Sequence, residues 1–353
     1  MGPALRADRL TRPAERNCMP AISVVMPVYN HAASCGTALA SILEQTLDDL
    51  EVIAVDDGST DCSLAELRRV AGLDPRVRIL AAPHGGIVQA LTLGVAAASA
   101  PLIARMDADD WSHPERLARQ AAFLQADARV GAVDCQAELS ASEVTGGGMR
   151  DYVSHLGVLV GWESIRNSLF EESPLVHPAT LMRRHALDEA GGYLEESWPE
   201  DYSLWLRMVA AGFRLARLPV PLFRWADPPG RLTRTSALCA PERLAALRAR
   251  FLPVLHPRVA TAGCQLWGMG PTGKVALAAL QREGVRVERA FDVDPRKVGN
   301  RVSGVRILPL EALKEHRGLL TLVVLGTRPA KAQALAHMRQ SDWRPWEDFL
   351  LFS

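Results

Sequence analysis

Three acidic clusters fall in a fixed order along the chain: Asp56-Asp57-Gly58-Ser59, then Asp107-Ala108-Asp109-Asp110, then Glu200-Asp201. The Asp-x-Asp spacing of Asp107 and Asp109 offers hard oxygen ligands that suit Mg²⁺ or Mn²⁺. Ionised carboxylates only accept hydrogen bonds, so Asp56 and Asp57 could receive donors from a base edge and a ribose. Gly58 lets backbone come close. Asp201 is the candidate general base, because the first turn of a helix favours its negative form, and Glu200 is the neighbour that could replace it. Pro27-Val28-Tyr29-Asn30 could frame a nucleobase, with the Tyr29 ring available for packing. His177 is a further candidate, as are Arg231 and Arg234, charge-assisted donors able to close over phosphates. Each motif alone is also ordinary turn, cap or surface chemistry.

The elements that must position these groups can be read from local pattern. Ile22 to Met26 is a β-branched run that reads as a buried parallel strand stopped by Pro27. Leu50 to Val55, Val77 to Leu80 and Leu102 to Met106 read as further strands. Helices are expected at Ala33 to Gln45, Ser63 to Ala71 and Ile87 to Ala98, which makes a βαβ alternation. The first two acidic clusters therefore follow strands, at the edge where open α/β sheets bind ligands. Ser112-His113-Pro114-Glu115 has the pattern of a capping box, predicting a helix from there to about Ala126. Val130 to Cys135 reads as a strand and Glu143 to Arg150, with three glycines, as loop. Glu200 to Ala211 reads as a helix stopped by Gly212.

A chain of 353 residues predicts two domains. Hydrophobic residues make up 48% and charged residues 23%, a globular balance rather than a disordered one. Forty basic residues offset forty acidic ones, which removes the general electrostatic argument for nucleic acid. The longest apolar stretches fall short of the roughly 20 residues a spanning helix needs. Met1 to Pro20 carries no apolar signal region and is expected to be a disordered tail. The scattered cysteines fit neither a zinc site nor a disulfide framework, pointing to a reducing cytoplasm.

Ser23-Val24-Val25-Met26-Pro27-Val28-Tyr29-Asn30, Asp56-Asp57-Gly58-Ser59-Thr60-Asp61, Met106-Asp107-Ala108-Asp109-Asp110 and Pro199-Glu200-Asp201 together resemble the sequential signatures of a family 2 glycosyltransferase of the GT-A fold. The resemblance covers residues 21 to about 236. It implies an α/β fold, a mostly parallel sheet flanked by helices, and an inverting transfer from a nucleoside-diphosphate sugar to a hydroxyl acceptor. That acceptor would be a saccharide, a lipid-linked sugar or a protein. It further implies that Asp201 deprotonates the acceptor, that Asp57 or Asp56 contacts the base, and that Asp109 is the chief metal ligand with Asp107 nearer the ribose or metal. The Gln-x-x-Arg-Trp element of processive members is missing, which favours single additions. Cell-surface polysaccharide or glycolipid synthesis is the expected setting, with room for peripheral contact at the inner face of a membrane.

A second βαβ pattern begins at Gly263. Gly268-x-Gly270-x-x-Gly273 follows a strand and opens a helix, and Asp292 ends the next strand, the context of a dinucleotide fingerprint. A small Rossmann-like α/β domain is expected there. The divisions are then a tail at 1–20, a GT-A domain at 21–240, a helical linker at 241–262 and the Rossmann-like domain at 263–353. A different function stays open on this evidence: an NAD-dependent sugar oxidoreductase, or a nucleotide-sensing module, led by the C-terminal domain.

Overall fold

The computed structural model describes residues 19–140, 147–228 and 236–353. The first sheet has eight strands: β1 (Ile22–Val28), β2 (Leu50–Asp57), β3 (Val77–Ala82), β4 (Leu102–Arg105), β5 (Trp111–Ser112), β6 (Val130–Leu139), β7 (Leu181–Arg183) and β8 (Arg214–Trp225). Their order is β3-β2-β1-β4-β7-β6-β8-β5. The β3-β2-β1-β4 half is wholly parallel, while β7 runs antiparallel to both β4 and β6. The central strands β1 and β2 are buried on both faces, as their continuous apolar runs require, while the edge strand β3 is largely half-buried or exposed.

Three local expectations fail, each for a visible reason. Pro27 does not stop β1, which pairs with β2 through Pro27↔Val55 and Val28↔Asp56. The Val25 carbonyl points to the β4 side, where it accepts the Met106 N–H, and Pro27 faces that same side. Pairing with β4 ends at Val25↔Arg105, so proline's missing N–H costs no ladder bond. Ser112 does not cap a helix either. It lies in the short edge strand β5, and its hydroxyl takes hydrogen bonds from Arg116 Nε at 2.7 Å and Gln45 Nε2 at 3.1 Å. The helix begins at Arg116. Residues 147–150, expected as loop, open the helix Gly147–Val158. Leu156, Met149, Tyr152 and Val153 pack that helix onto the first core, and burial outweighs the poor helix propensity of its glycines.

The second sheet contains β9 (Cys264–Trp267), β10 (Val287–Asp292), β11 (Arg301–Val302), β12 (Val305–Pro309), β13 (Leu320–Val323) and β14 (Phe349–Leu351), ordered β11-β12-β10-β9-β13-β14. It is parallel except for β11. The helices Pro241–Leu255 and Pro257–Ala262 lie between the two sheets in the chain. One apolar cluster joins the halves: Leu169, Phe170, Tyr202 and Leu206 from the first meet Leu277, Leu350 and Phe352 from the second. Among the described residues no helix is long and apolar enough to cross a membrane.

Candidate active site

The ends of β1, β2 and β4 lie side by side, so Tyr29, Asp56, Asp57 and Asp107 emerge along one sheet edge. The two members of the first acidic pair differ sharply. Both oxygens of Asp57 serve the protein itself, accepting Gly85 N–H at 2.8 Å and Gly86 N–H at 2.9 Å. His84 Nδ1 is also 2.9 Å from Asp57 Oδ2. Asp56 is equally buried, yet its Oδ1 has no hydrogen-bond partner, while its Oδ2 takes only a long bond from Ser59 N–H at 3.3 Å. A buried carboxylate oxygen left unpaired is costly and is relieved by an incoming donor.

Gly58 does permit a close approach, though by the protein's own chain. It holds φ +69°, and a Cβ there would meet the His84 nitrogen at 2.6 Å. That contact brings His84 onto Tyr29, with ring centroids 4.1 Å apart and planes within 18°. His84 was not singled out in the sequence; its only signal was its place before two glycines at the end of β3.

The loop after β4 is fixed at both ends. Asp110 accepts the Ala226 N–H at 2.7 Å, tying the acidic loop to the end of β8. Asp107 is ion-paired at 2.8 Å with Arg105, a buried guanidinium that also donates to the Met106 carbonyl. Asp109 lies half-buried between them. A charge inside the apolar run Leu102 to Met106 was the sequence signal for Arg105, and the acidic cluster drew attention away from it. Burial works against the Arg105 charge, but Asp107, Tyr193 and Glu200 hold it and raise its pKa.

The third cluster meets the second around Arg105. Glu200 and Asp201 open the helix Glu200–Ala210. Burial, then the adjacent Asp201 charge, pushes the Glu200 carboxyl up to about 7, with Arg105 and Asp107 also acting on it. Asp201 Oδ2 accepts the Ser173 hydroxyl at 3.1 Å. His177 is buried behind Glu200, its Nδ1 3.9 Å from Glu200 Oε1 and its Nε2 2.8 Å from the Tyr193 hydroxyl. Burial and Arg105 hold His177 neutral, well below the usual histidine range. Asp107, Glu200 and Asp201 all act on the Tyr193 hydroxyl that His177 bonds, which gathers these groups around one point, whereas Arg231 and Arg234 lie outside the described residues.

A carboxyl group that keeps its proton more readily when folded contributes stability at low pH. For Glu200 that contribution is complete below its ordinary value of 4.5 and is lost as pH rises through about 7. The melting temperature of the wild type should therefore fall more between pH 5 and pH 8 than that of Glu200→Gln. Parallel curves for the two proteins would contradict this.

Among the described residues no group of three or more His, Cys, Asp or Glu side chains is arranged to hold a metal. Asp109 and Asp107 are nonetheless hard oxygen donors, both half-buried on one loop, a set that fits Mg²⁺ or Mn²⁺ if other oxygens complete the shell.

In the second sheet the glycine-rich turn is shaped by packing. Gly268 holds φ +110° against the Val324 carbonyl, and a Cβ on Gly273 would meet the Gly268 oxygen at 2.0 Å. Gly270 faces open space. Asp292 accepts Met269 N–H at 2.8 Å, Asp294 N–H at 2.9 Å and Lys297 Nζ at 2.9 Å, so it pins the turn with both oxygens. Three of the roughly four donors a carboxylate can accept are thus supplied by the protein itself.

Comparison with known proteins finds a likeness in each half of the chain. Residues 23–191 match the family described as Glycosyl transferase family 2, and residues 261–339 match the CoA binding domain family. A glycosyltransferase of Haemophilus influenzae is 27% identical over 216 residues, covering 59% of this chain and 66% of that protein. The amylovoran biosynthesis glycosyltransferase AmsE of Erwinia amylovora is 27% identical over 215 residues, 57% of this chain and 74% of the relative. Among solved structures, S. aureus TarS 1-349 in complex with UDP-GlcNAc aligns with a TM-score of 0.52 at 16% identity, over 74% of this chain and 80% of that one. Residues 23–191 thus match family 2 glycosyltransferases on a GT-A-like fold, and a Rossmann-like accessory domain follows them in the chain.

Proposed function

We propose that the chain transfers a sugar from a nucleoside-diphosphate sugar to a hydroxyl acceptor with inversion, in polysaccharide or O-antigen synthesis. The observation that carries this reading is the convergence of Asp107 and Glu200 around Arg105, with Asp201 acting on Glu200, while Asp107 leaves the same sheet edge as Tyr29 and Asp56. Residues 21–240 would form the transferase unit, 241–262 the linker and 263–353 the accessory unit. In this reading Asp56 offers its unpaired oxygen to the nucleobase or ribose, and Tyr29 with His84 forms a ring platform at the same edge. Asp57 organises the turn that carries His84.

Asp201 takes the acceptor proton as the hydroxyl attacks the anomeric carbon from the face opposite the departing diphosphate. Glu200, pushed up to about 7, is only part-ionised at neutral pH, and Asp201 is the carboxylate that the Ser173 hydroxyl orients, which favours Asp201 as the base. A divalent ion held by Asp109, with Asp107, would supply Lewis-acid stabilisation of the leaving diphosphate. Arg105 keeps Asp107 oriented for this and offsets part of the local negative charge.

Asp109→Ala tests the metal assignment. Wild-type donor affinity should strengthen at least about tenfold on adding Mn²⁺, within the several kcal/mol a metal supplies, and the variant should lose most of that gain. Calorimetric titration of the donor with and without Mn²⁺ reads it. An equal metal response in both proteins would remove Asp109 from the role.

A further inference from the structure

The segment Leu169–Ser173 connects the second sheet to the candidate base. It has no regular secondary structure, so side-chain contacts fix its path. Phe170 is fully buried between Trp346 and Phe352, with ring centroids 6.1 Å and 5.9 Å away. Glu171 pairs with Lys331 at 2.9 Å, and Glu172 with Arg328 at 3.3 Å. All four of those partners belong to the second half of the chain. Lys331 also donates to the Ser353 carbonyl, which fastens the C-terminal end to the same point. From the intervening helix, Arg248 donates to the Glu171 carbonyl at 2.6 Å and to the Tyr202 hydroxyl at 3.3 Å. Tyr202 in turn donates to the Leu169 carbonyl at 2.7 Å.

Two residues after Glu171 comes Ser173, whose hydroxyl donates to Asp201 Oδ2. Tyr202, the neighbour of Asp201 in sequence, is locked into the same contacts. The candidate base is therefore flanked on both sides by groups tied to the Leu169–Glu172 stretch, which the second half grips through Phe170, Glu171 and Glu172 and which His155 of the first half also meets at Glu172, 3.2 Å away. At Ser173 the support changes hands: Tyr152 donates to the Ser173 carbonyl at 3.0 Å, and the Pro174 carbonyl and Val176 N–H are bound by Arg217 and Asp134 of the first sheet.

We infer that Ser173 is a positioning residue for Asp201, and that the accessory domain acts as a buttress holding the Leu169–Ser173 segment so that this hydroxyl meets the carboxylate. The inference rests on Asp201 being the proton acceptor. It assigns the second domain a part in transfer that requires no ligand of its own. A displacement of about 1 Å at a reacting group is enough to cost on the order of 10²-fold in rate.

The test uses the full chain and the sugar nucleotide that the wild type turns over in a panel of UDP-, GDP- and dTDP-sugars. Ser173→Ala and Lys331→Ala should each lower kcat about 10- to 100-fold while the donor KM stays within about twofold. Ser173→Thr, which keeps the hydroxyl, and Lys331→Arg, which keeps the charge, should restore most of the loss. Phe352→Leu loosens the same contact independently and stands in should Lys331→Ala fail to fold. Hydrogen exchange of the peptide containing residues 168–176 should quicken in Lys331→Ala or Phe352→Leu.

Wild-type kcat in Ser173→Ala overturns the positioning role. Wild-type kcat in the loosened variants, whether or not exchange quickens, overturns the buttress. Asp201→Asn run alongside separates the two levels: if it loses transfer while these variants keep it, the transferase reading stands and this inference falls. If the wild type itself transfers nothing, both fall.

Discussion

Asp201→Asn is expected to lower kcat by about 10²–10⁴-fold, the range a positioned general base supplies, while donor affinity stays within about twofold. The substitution keeps size and shape, and the amide oxygen can still accept the Ser173 hydroxyl bond. What it removes is the capacity to take a proton. A loss of that kind appears equally in kcat and kcat/KM, because the interaction forms only in the transition state. Steady-state kinetics with the acceptor, and donor titration in its absence, separate the two effects. Glu200→Gln supplies the contrast, since its carboxyl is only part-ionised at neutral pH and lacks the Ser173 hydroxyl bond, so its loss should cost less turnover. If Glu200→Gln proved the more damaging change, the base would have to be reassigned.

The largest stability effect is expected away from the chemistry, at Arg217→Met. Arg217 and Asp134 form an ion pair at 2.5 Å with both side chains fully buried, linking β8 to β6. Arg217 also donates to the Leu156 and Pro174 carbonyls, and Asp134 accepts the Val176 N–H at 2.8 Å. Removing one member of such a pair strands the other charge in the interior and costs about 3–5 kcal/mol. Urea unfolding of wild type and variant measures this directly. Replacing both, as Asp134→Leu with Arg217→Met, should recover part of the loss, because no buried charge then remains. The recovery stays incomplete, since the Val176 N–H and two carbonyls lose their partners. A single variant within about 1 kcal/mol of wild type would mean that water reaches the pair. The same bonds hold Pro174 and Val176, so activity in the surviving folded fraction should fall as well.

Much of the first sheet was legible because its signals are local. A mainly apolar run followed by acidic residues marks a strand end without any knowledge of its neighbours, and β2 and β4 carry that mark. The Pro27 error shows the limit of such reading. Whether a proline ends a strand depends on whether its neighbouring strand is still present at that point, which only the register of β1 and β4 reveals. Ser112 failed for a related reason: Gln45, 67 residues away, and Arg116 compete for the hydroxyl that a cap would use. The helix at residues 147–158 depends on burial that its glycines conceal.

At the candidate site, the carboxylates could be found but their division of labour could not. Asp56 and Asp57 are adjacent and chemically identical in the sequence. Only the fold shows that Gly85 and Gly86 occupy one and leave an oxygen of the other unpaired. Arg105, Tyr193 and Ser173 carry no motif, and each gains its meaning from what lies opposite. The contact between Glu171 and Lys331 spans 160 residues, so no local pattern could announce it.

The central claim is that one pocket grips a sugar nucleotide and activates a hydroxyl with anions drawn from three distant stretches of chain. The most direct measurement is proton NMR of wild-type reactions with UDP-, GDP- and dTDP-sugars and simple saccharide acceptors, following nucleoside-diphosphate release and the anomeric configuration of the product together. The account predicts release from at least one donor, with the new glycosidic bond inverted relative to the sugar nucleotide. A product of retained configuration, or a sugar nucleotide consumed only when NAD is added, would contradict it.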